Sequence, residues 1–146
     1  MAVRAVALAA ASVSVRTTLG RVLFYAGRHD EAIAECQKAL DVMPKFTPAR
    51  LCAQAAAAPA ASPDAGMSYW RSRVDRITAE GCDQQPMAAA IAYGHVGDVD
   101  TALRWLERAA ELHTDALVYA RVHPGLAPLH HTPRYARVLD RVGGPR

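Results

Sequence analysis

Six histidines, three cysteines and fourteen acidic side chains are the groups in this chain equipped for chemistry. A zinc site needs three or four ligands that converge. His130 and His131 are adjacent and point apart on a helix, while His95 and His113 fall on different helices. No metal and no other cofactor is expected from that spacing. The carboxylates read the same way. Glu31 and Glu35, like Glu107 and Glu111, sit one helical turn apart on an exposed side, where solvation and pairing such as Arg108 with Glu111 are the ordinary roles. There is no glycine-rich phosphate loop, no Gly-x-Ser-x-Gly elbow and no His-Glu-x2-His pair. The expectation is a protein that is not an enzyme.

The cysteines, Cys36, Cys52 and Cys82, are odd in number and form no Cys-x2-Cys pair. They read as reduced thiols of a cytoplasmic protein, with Cys36 filling a core position. Trp70, Trp105 and Tyr69 have two readings, partner anchors or helix–helix packing. Each lies beside apolar helix positions, which favours packing.

The chain has 146 residues, enough for one domain with a modest core. Hydrophobic types make up 51% and aromatic types 6%, with alanine dominant, which favours closely packed helices. No alternating Val/Ile/Thr run points to a sheet. Net charge is +3, with basic residues spread along the chain, so nucleic acid is not the expected partner. No segment is read as the run of roughly 18 apolar residues that spans a membrane, so none is expected to engage one.

The elements that would position these residues are clearest from Leu19 to Pro44. Gly20 and Ala32 are small residues on facing helices, so two backbones can approach closely. Gly27 suits the left-handed residue that ends a helix, and Asp30 is placed to cap the next one. Ala32, Cys36, Ala39, Leu40 and Met43 follow at helical spacing as one apolar stripe, which Pro44 ends. Two such short helices cannot bury their apolar faces alone, so neighbours of the same kind are expected.

The order Leu19-Gly20, Leu23, Gly27, Ala32, Cys36, Ala39, Pro44 resembles the tetratricopeptide repeat, whose pattern is Trp-x2-Leu-Gly-x2-Tyr, then Ala-x3-Phe, then Pro, within about 34 residues. Arg16 stands for its Trp, Leu23 for its Tyr and Cys36 for its Phe. His29 falls where the repeat holds an aromatic residue in its turn, which implies a packing role. A second such stretch runs from Met87 to Leu112: Tyr93, Gly97, Ala102, Leu106 and Ala109 each lie seventy residues after Leu23, Gly27, Ala32, Cys36 and Ala39. Asp100 repeats the capping position of Asp30. Two repeat periods fit that gap.

Between them, Thr47-Pro48 opens a helix through Leu51, Cys52, Ala55 and Ala58. A turn is expected over Pro59–Gly66. A helix from about Met67 to Ala79 then carries Tyr69, Trp70, Val74 and Ile77 on its apolar side and ends at Gly81. Residues 1–15 carry one charge, Arg4. They read as a signal peptide, cleaved at Ala7-Leu8-Ala9 or Ala9-Ala10-Ala11, or as a helix packed on the open end of the first repeat or the remnant of a preceding repeat. The scarcity of leucine favours the helix. After Leu112, a short helix near Asp115–Arg121, a turn at His123-Pro124 and a last helix capped by Thr132 with Pro133 behind it are expected.

This closing run is similar to the end of tetratricopeptide arrays in bacterial winged-helix regulators, adenylate cyclases and kinases. The likeness is carried by Leu117-Val118-Tyr119, Val122-His123-Pro124, Pro128-Leu129, Pro133-Arg134-Tyr135 and Val138-Leu139.

The resemblance implies an all-α, right-handed solenoid of helical hairpins: an apolar segment 1–12, repeats at 13–46, 47–82 and 83–116, and capping helices at 117–146. In the family the first helix of each repeat lines a concave groove. Here that wall would carry Thr17, Arg21, Phe24, Leu51, Cys52, Gln84, Met87 and Ile91. Only Arg21 is basic among the places of the family's carboxylate clamp, so a peptide terminus is not the expected ligand. The groove suits a peptide or amphipathic helix of a protein partner, or the protein's own terminal helix folding back. Two alternatives stand beside this interaction module. One is a sensor fragment of a bacterial regulator or cyclase, with an effector domain attached or encoded nearby. The other is a weak nucleic-acid binder, which a steep salt dependence would reveal.

Overall fold

The structure, a computed structural model, describes residues 2–143 and is all-helical, with no strand among them. It divides into two compact units, Met1–Gly66 and Met67–Arg146.

In the first unit, helix α1 (Ala2–Tyr25) packs on α2 (His29–Val42), and α3 (Thr47–Ala61) packs on both. The turn between α1 and α2 forms as its residues dictate: Gly27 takes φ 79°, and Arg28 N–H donates to Leu23 O at 2.9 Å. Asp30, read as a cap, is instead in the first turn of α2, whose N-terminal boundary is Arg28 with no side-chain cap. Helix α2 starts at His29, two residues earlier than a cap at Asp30 requires. From the first turn the carboxylate still favours the positive end of the helix. The core joins Val13, Ala39 and Ala49, with Leu40 and Phe46 packed against them.

Two expectations about this unit change. The turn expected over Pro59–Gly66 contracts to Ser62, because α3 runs through Pro59 to Ala61 and α4 (Pro63–Glu80) begins at once. Ser62 is extended, at φ −167° and ψ 159°, as a residue before proline prefers. Its Oγ accepts from Ala65 N–H at 3.1 Å. The start of the chain is also not a separate packed cap. Residues 3–12 continue α1 straight into solvent, with Val3 85% and Leu8 67% exposed.

The second unit begins within α4. Trp70, Val74 and Ile77 of that helix pack with Cys82, Ala89 and Ala92, together with Tyr93 and Trp105. A short 3-10 turn (Cys82–Gln84) leads to α5 (Pro86–His95), which pairs with α6 (Val99–Glu111). Gly97 repeats the left-handed turn at φ 89°. Asp98, not Asp100, caps α6, accepting from Thr101 N–H at 3.1 Å. Two further 3-10 turns, Asp115–Tyr119 and Pro124–Leu129, precede α7 (Pro133–Gly143). The turn at 124–129 packs on α5 and α6, and α7 packs on α6. Thr132 does cap α7, accepting from Tyr135 N–H at 3.2 Å.

Candidate functional site

The tightest point of the first unit is where α1, α2 and α3 meet. A Cβ on Gly20 would run into Cys36 Sγ, and would lie 3.1 Å from Cys52 Sγ and 3.2 Å from Ala32 O. Small residues are therefore a steric requirement here, and Ala32, Cys36 and Ala39 are fully buried on the facing side of α2. Cys36 and Cys52 are joined as a disulfide, with Cα atoms 6.3 Å apart. The reading of three reduced thiols is corrected by this bond. The fifteen residues between the pair are one descent of α2 and one entry into α3, which returns the second sulfur to the first. Cys82 alone is free, and it is buried.

The eight residues assigned to the groove wall separate by burial. Thr17 is 5% exposed, and its hydroxyl donates to Val13 O at 2.8 Å, so it is committed to its own helix. Phe24 is buried, with its ring centroid 5.8 Å from that of His29, the packing role expected for that histidine. Cys52 is buried in the disulfide, and Ile91 is buried in the second unit. Arg21 and Leu51 are exposed on the mutually packed helices α1 and α3, Leu51 at 55%. In the second unit Gln84 is exposed and Met87 is half-buried. Of the eight, Arg21 and Leu51 are the two that the first unit presents to solvent, while Thr17, Phe24 and Cys52 are buried in the same unit.

Charge on the first unit gathers along α2. Glu35 accepts from Lys38 and, at 3.2 Å, from Arg16 of α1. Lys38, ahead of Arg16, holds its carboxyl below the usual carboxylate range. Arg28 pairs with Glu31. These charges rim a shallow pocket floored by Leu19, Leu23 and Ala34.

In the second unit, Trp70 stacks on His95 with centroids 4.2 Å apart, and Tyr69 meets the edge of Trp70. With Trp105 in the same cluster, the aromatic residues are packing groups. Arg108 pairs with Glu111, as its spacing implies, and also with Asp83 at 2.9 Å. Glu107 is not a solvation carboxylate. Both its oxygens accept from Arg134 of α7, and that guanidinium holds its carboxyl below the usual range. Tyr135 Oη donates to Ala120 O at 2.6 Å, and burial pushes its phenol upward. Nothing local in the sequence announces the Glu107–Arg134 pair, since the two residues lie 27 apart along the chain, on different helices.

Among the described residues no three His, Cys, Asp or Glu side chains gather as metal ligands. One further expectation changes. Val3–Tyr25 of α1 is long and apolar enough by length and composition to cross a membrane. Its C-terminal half is also a core helix, burying Val13, Thr17, Gly20, Leu23 and Phe24.

Residues 12–43 match a family model described as tetratricopeptide repeat. No curated protein and no solved structure matches the chain. The matched segment is the hairpin of α1 and α2, with Gly20 and Ala32 at its close approach and Gly27 in its turn, and it is this hairpin that is similar to a tetratricopeptide repeat.

Proposed function

We infer that this chain is a non-catalytic protein-interaction module that takes an amphipathic helix of a protein partner on the face shared by α1 and α3. One observation carries the reading: Arg21 and Leu51 stand exposed on two helices packed together by a tetratricopeptide hairpin. A large apolar side chain on one helix and a guanidinium on the helix packed against it suit a helix with a leucine-type anchor and a carboxylate. Tetratricopeptide repeats in general bind proteins rather than transform substrates, and the polar clusters here are used as structural ion pairs.

The test uses the full chain immobilised in native lysate. A partner should be retained by the wild-type chain and lost with Leu51→Glu and with Arg21→Glu, while Ser72→Glu, exposed in the second unit, retains it. Retention that ignores both substitutions, or no retention by the wild-type chain, overturns the reading.

A further inference from the structure

The covalent link of the first unit ends beside its exposed anchor. Cys52, bonded to Cys36 of α2, directly follows Leu51 on α3. Helix α3 has few other fastenings. It buries Ala49, Cys52 and Ala56, and its one large aliphatic residue, Leu51, is 55% exposed. Phe46, just before the helix, packs with Ala49. An alanine side chain removes little apolar area from water, so packing alone holds α3 less firmly than it would a helix with buried leucines.

Opening the bond needs room that only α3 can supply. Two thiols fill more space than the bond they replace, because each sulfur gains a hydrogen and the pair sits in van der Waals contact. On the α1 side there is none. The Gly20 backbone abuts both sulfurs, and a Cβ there would run into Cys36 Sγ. Helix α1 is itself seated on α2, through the approach of Gly20 to Ala32 O and the Arg16–Glu35 pair. An overfilled site forces its surroundings to shift, and the least anchored wall gives first. That wall is α3, and Leu51 moves with it.

The exchange is ordinary thiol chemistry. Cys36 is fully buried and Cys52 is 7% exposed, so an incoming thiolate meets Cys52 Sγ. It bonds to Cys52 while Cys36 leaves as a thiolate and takes up a proton. A second external thiolate attacks the external sulfur of that mixed disulfide, and Cys52 leaves and is protonated in turn. Two external thiols are oxidised to one disulfide, and the protein bond is reduced to two thiols. Glutathione disulfide drives the same steps backwards.

We propose that the Cys36–Cys52 bond sets the partner affinity of the α1–α3 face, closed in the binding form and opened by a cellular thiol. This rests on the helix-binding reading of that face. The full chain is treated with dithiothreitol or with glutathione disulfide, without denaturant, and alkylation after a denaturing quench reads the bond. The probe is a fluorescein-labelled synthetic helix of leucine, alanine and glutamate with its leucines along one face. The reduced chain should bind it with a dissociation constant raised about fivefold or more. Amides of α3 should exchange about tenfold faster, with those of α6 unchanged and far-UV circular dichroism nearly the same. Reoxidation should restore both. A bond that opens only in denaturant, equal affinity of the two forms, or unchanged exchange in α3 overturns the proposal. With equal affinity, loss of binding by Leu51→Glu leaves the reading of the face standing. No binding to the oxidised chain, or binding indifferent to Leu51→Glu, defeats the reading of the face and this proposal with it.

Discussion

Arg134 grips Glu107 with two hydrogen bonds, Nε to Oε1 at 2.7 Å and Nη2 to Oε2 at 2.8 Å, and gives Nη1 to Asp100 at 2.7 Å. One guanidinium therefore ties the first turn of α7 to two turns of α6. The Glu107 and Arg134 side chains are each 29% exposed, so water screens the pair only partly. Paired two-point contacts of this geometry are stronger than ordinary surface bridges. Arg134→Ala is expected to lower the midpoint of urea unfolding, whereas Arg137→Ala on the exposed side of α7 should leave it nearly unchanged.

The same pair sets a pH dependence. Because Arg134 depresses the carboxyl of Glu107, the folded state binds its proton less readily than the unfolded chain does. Its contribution is present above the ordinary carboxylate value and is lost as pH falls through the depressed one. Thermal unfolding followed from pH 7 downward should show the midpoint falling as the solution enters and passes below the carboxylate range. Glu107→Gln should flatten that fall, since it removes the titrating group. An unchanged slope would contradict the assignment.

The bond between Cys36 and Cys52 closes a loop of sixteen residues of separation in the unfolded chain. Loop-closure entropy at that length corresponds to about 3 kcal/mol. Reduction should lower stability by up to that amount while leaving the helices in place at moderate temperature. Alkylation of the denatured, unreduced chain should label one cysteine, Cys82, and label three after reduction. Three labelled thiols without reductant would contradict the bond. A persistent bond would also place the chain in an oxidising compartment rather than the cytoplasm.

Gly20 sits against Cys36, Cys52 and the backbone of Ala32, with no flexible side-chain tip to move aside. Gly20→Ala should cost about 1–3 kcal/mol by overpacking. At Gly27 a Cβ meets nothing within 4 Å, but φ is 79°. Gly27→Ala should therefore cost about 1 kcal/mol, through backbone strain alone. Calorimetry of the two variants separates steric from conformational use of glycine.

What the sequence made legible follows from how local each signal is. The α1–α2 hairpin could be read because a left-handed glycine, small facing residues and a terminating proline all lie within a few turns of one another. Thr132 and Pro133 marked the start of α7 for the same reason. Asp30 and Asp100 were misread as caps because several neighbouring residues can occupy that place, and helix phase decides among them. The break before Pro63 was hidden by a nearer proline that α3 tolerates close to its end. The groove wall was half legible. Periodicity puts Thr17 and Phe24 on α1, but only packing against α2 and α3 shows that they face inward. The Cys36–Cys52 bond and the Glu107–Arg134 pair depend on distant segments meeting.

The central claim, that the α1–α3 face receives a partner helix, is tested most directly by hydrogen exchange on the chain with its captured partner bound. Added protection is predicted in α1 around Arg21 and in the first turns of α3 around Leu51, with α6 and α7 unchanged. Protection confined to the second unit, or none in α1 and α3, would contradict it.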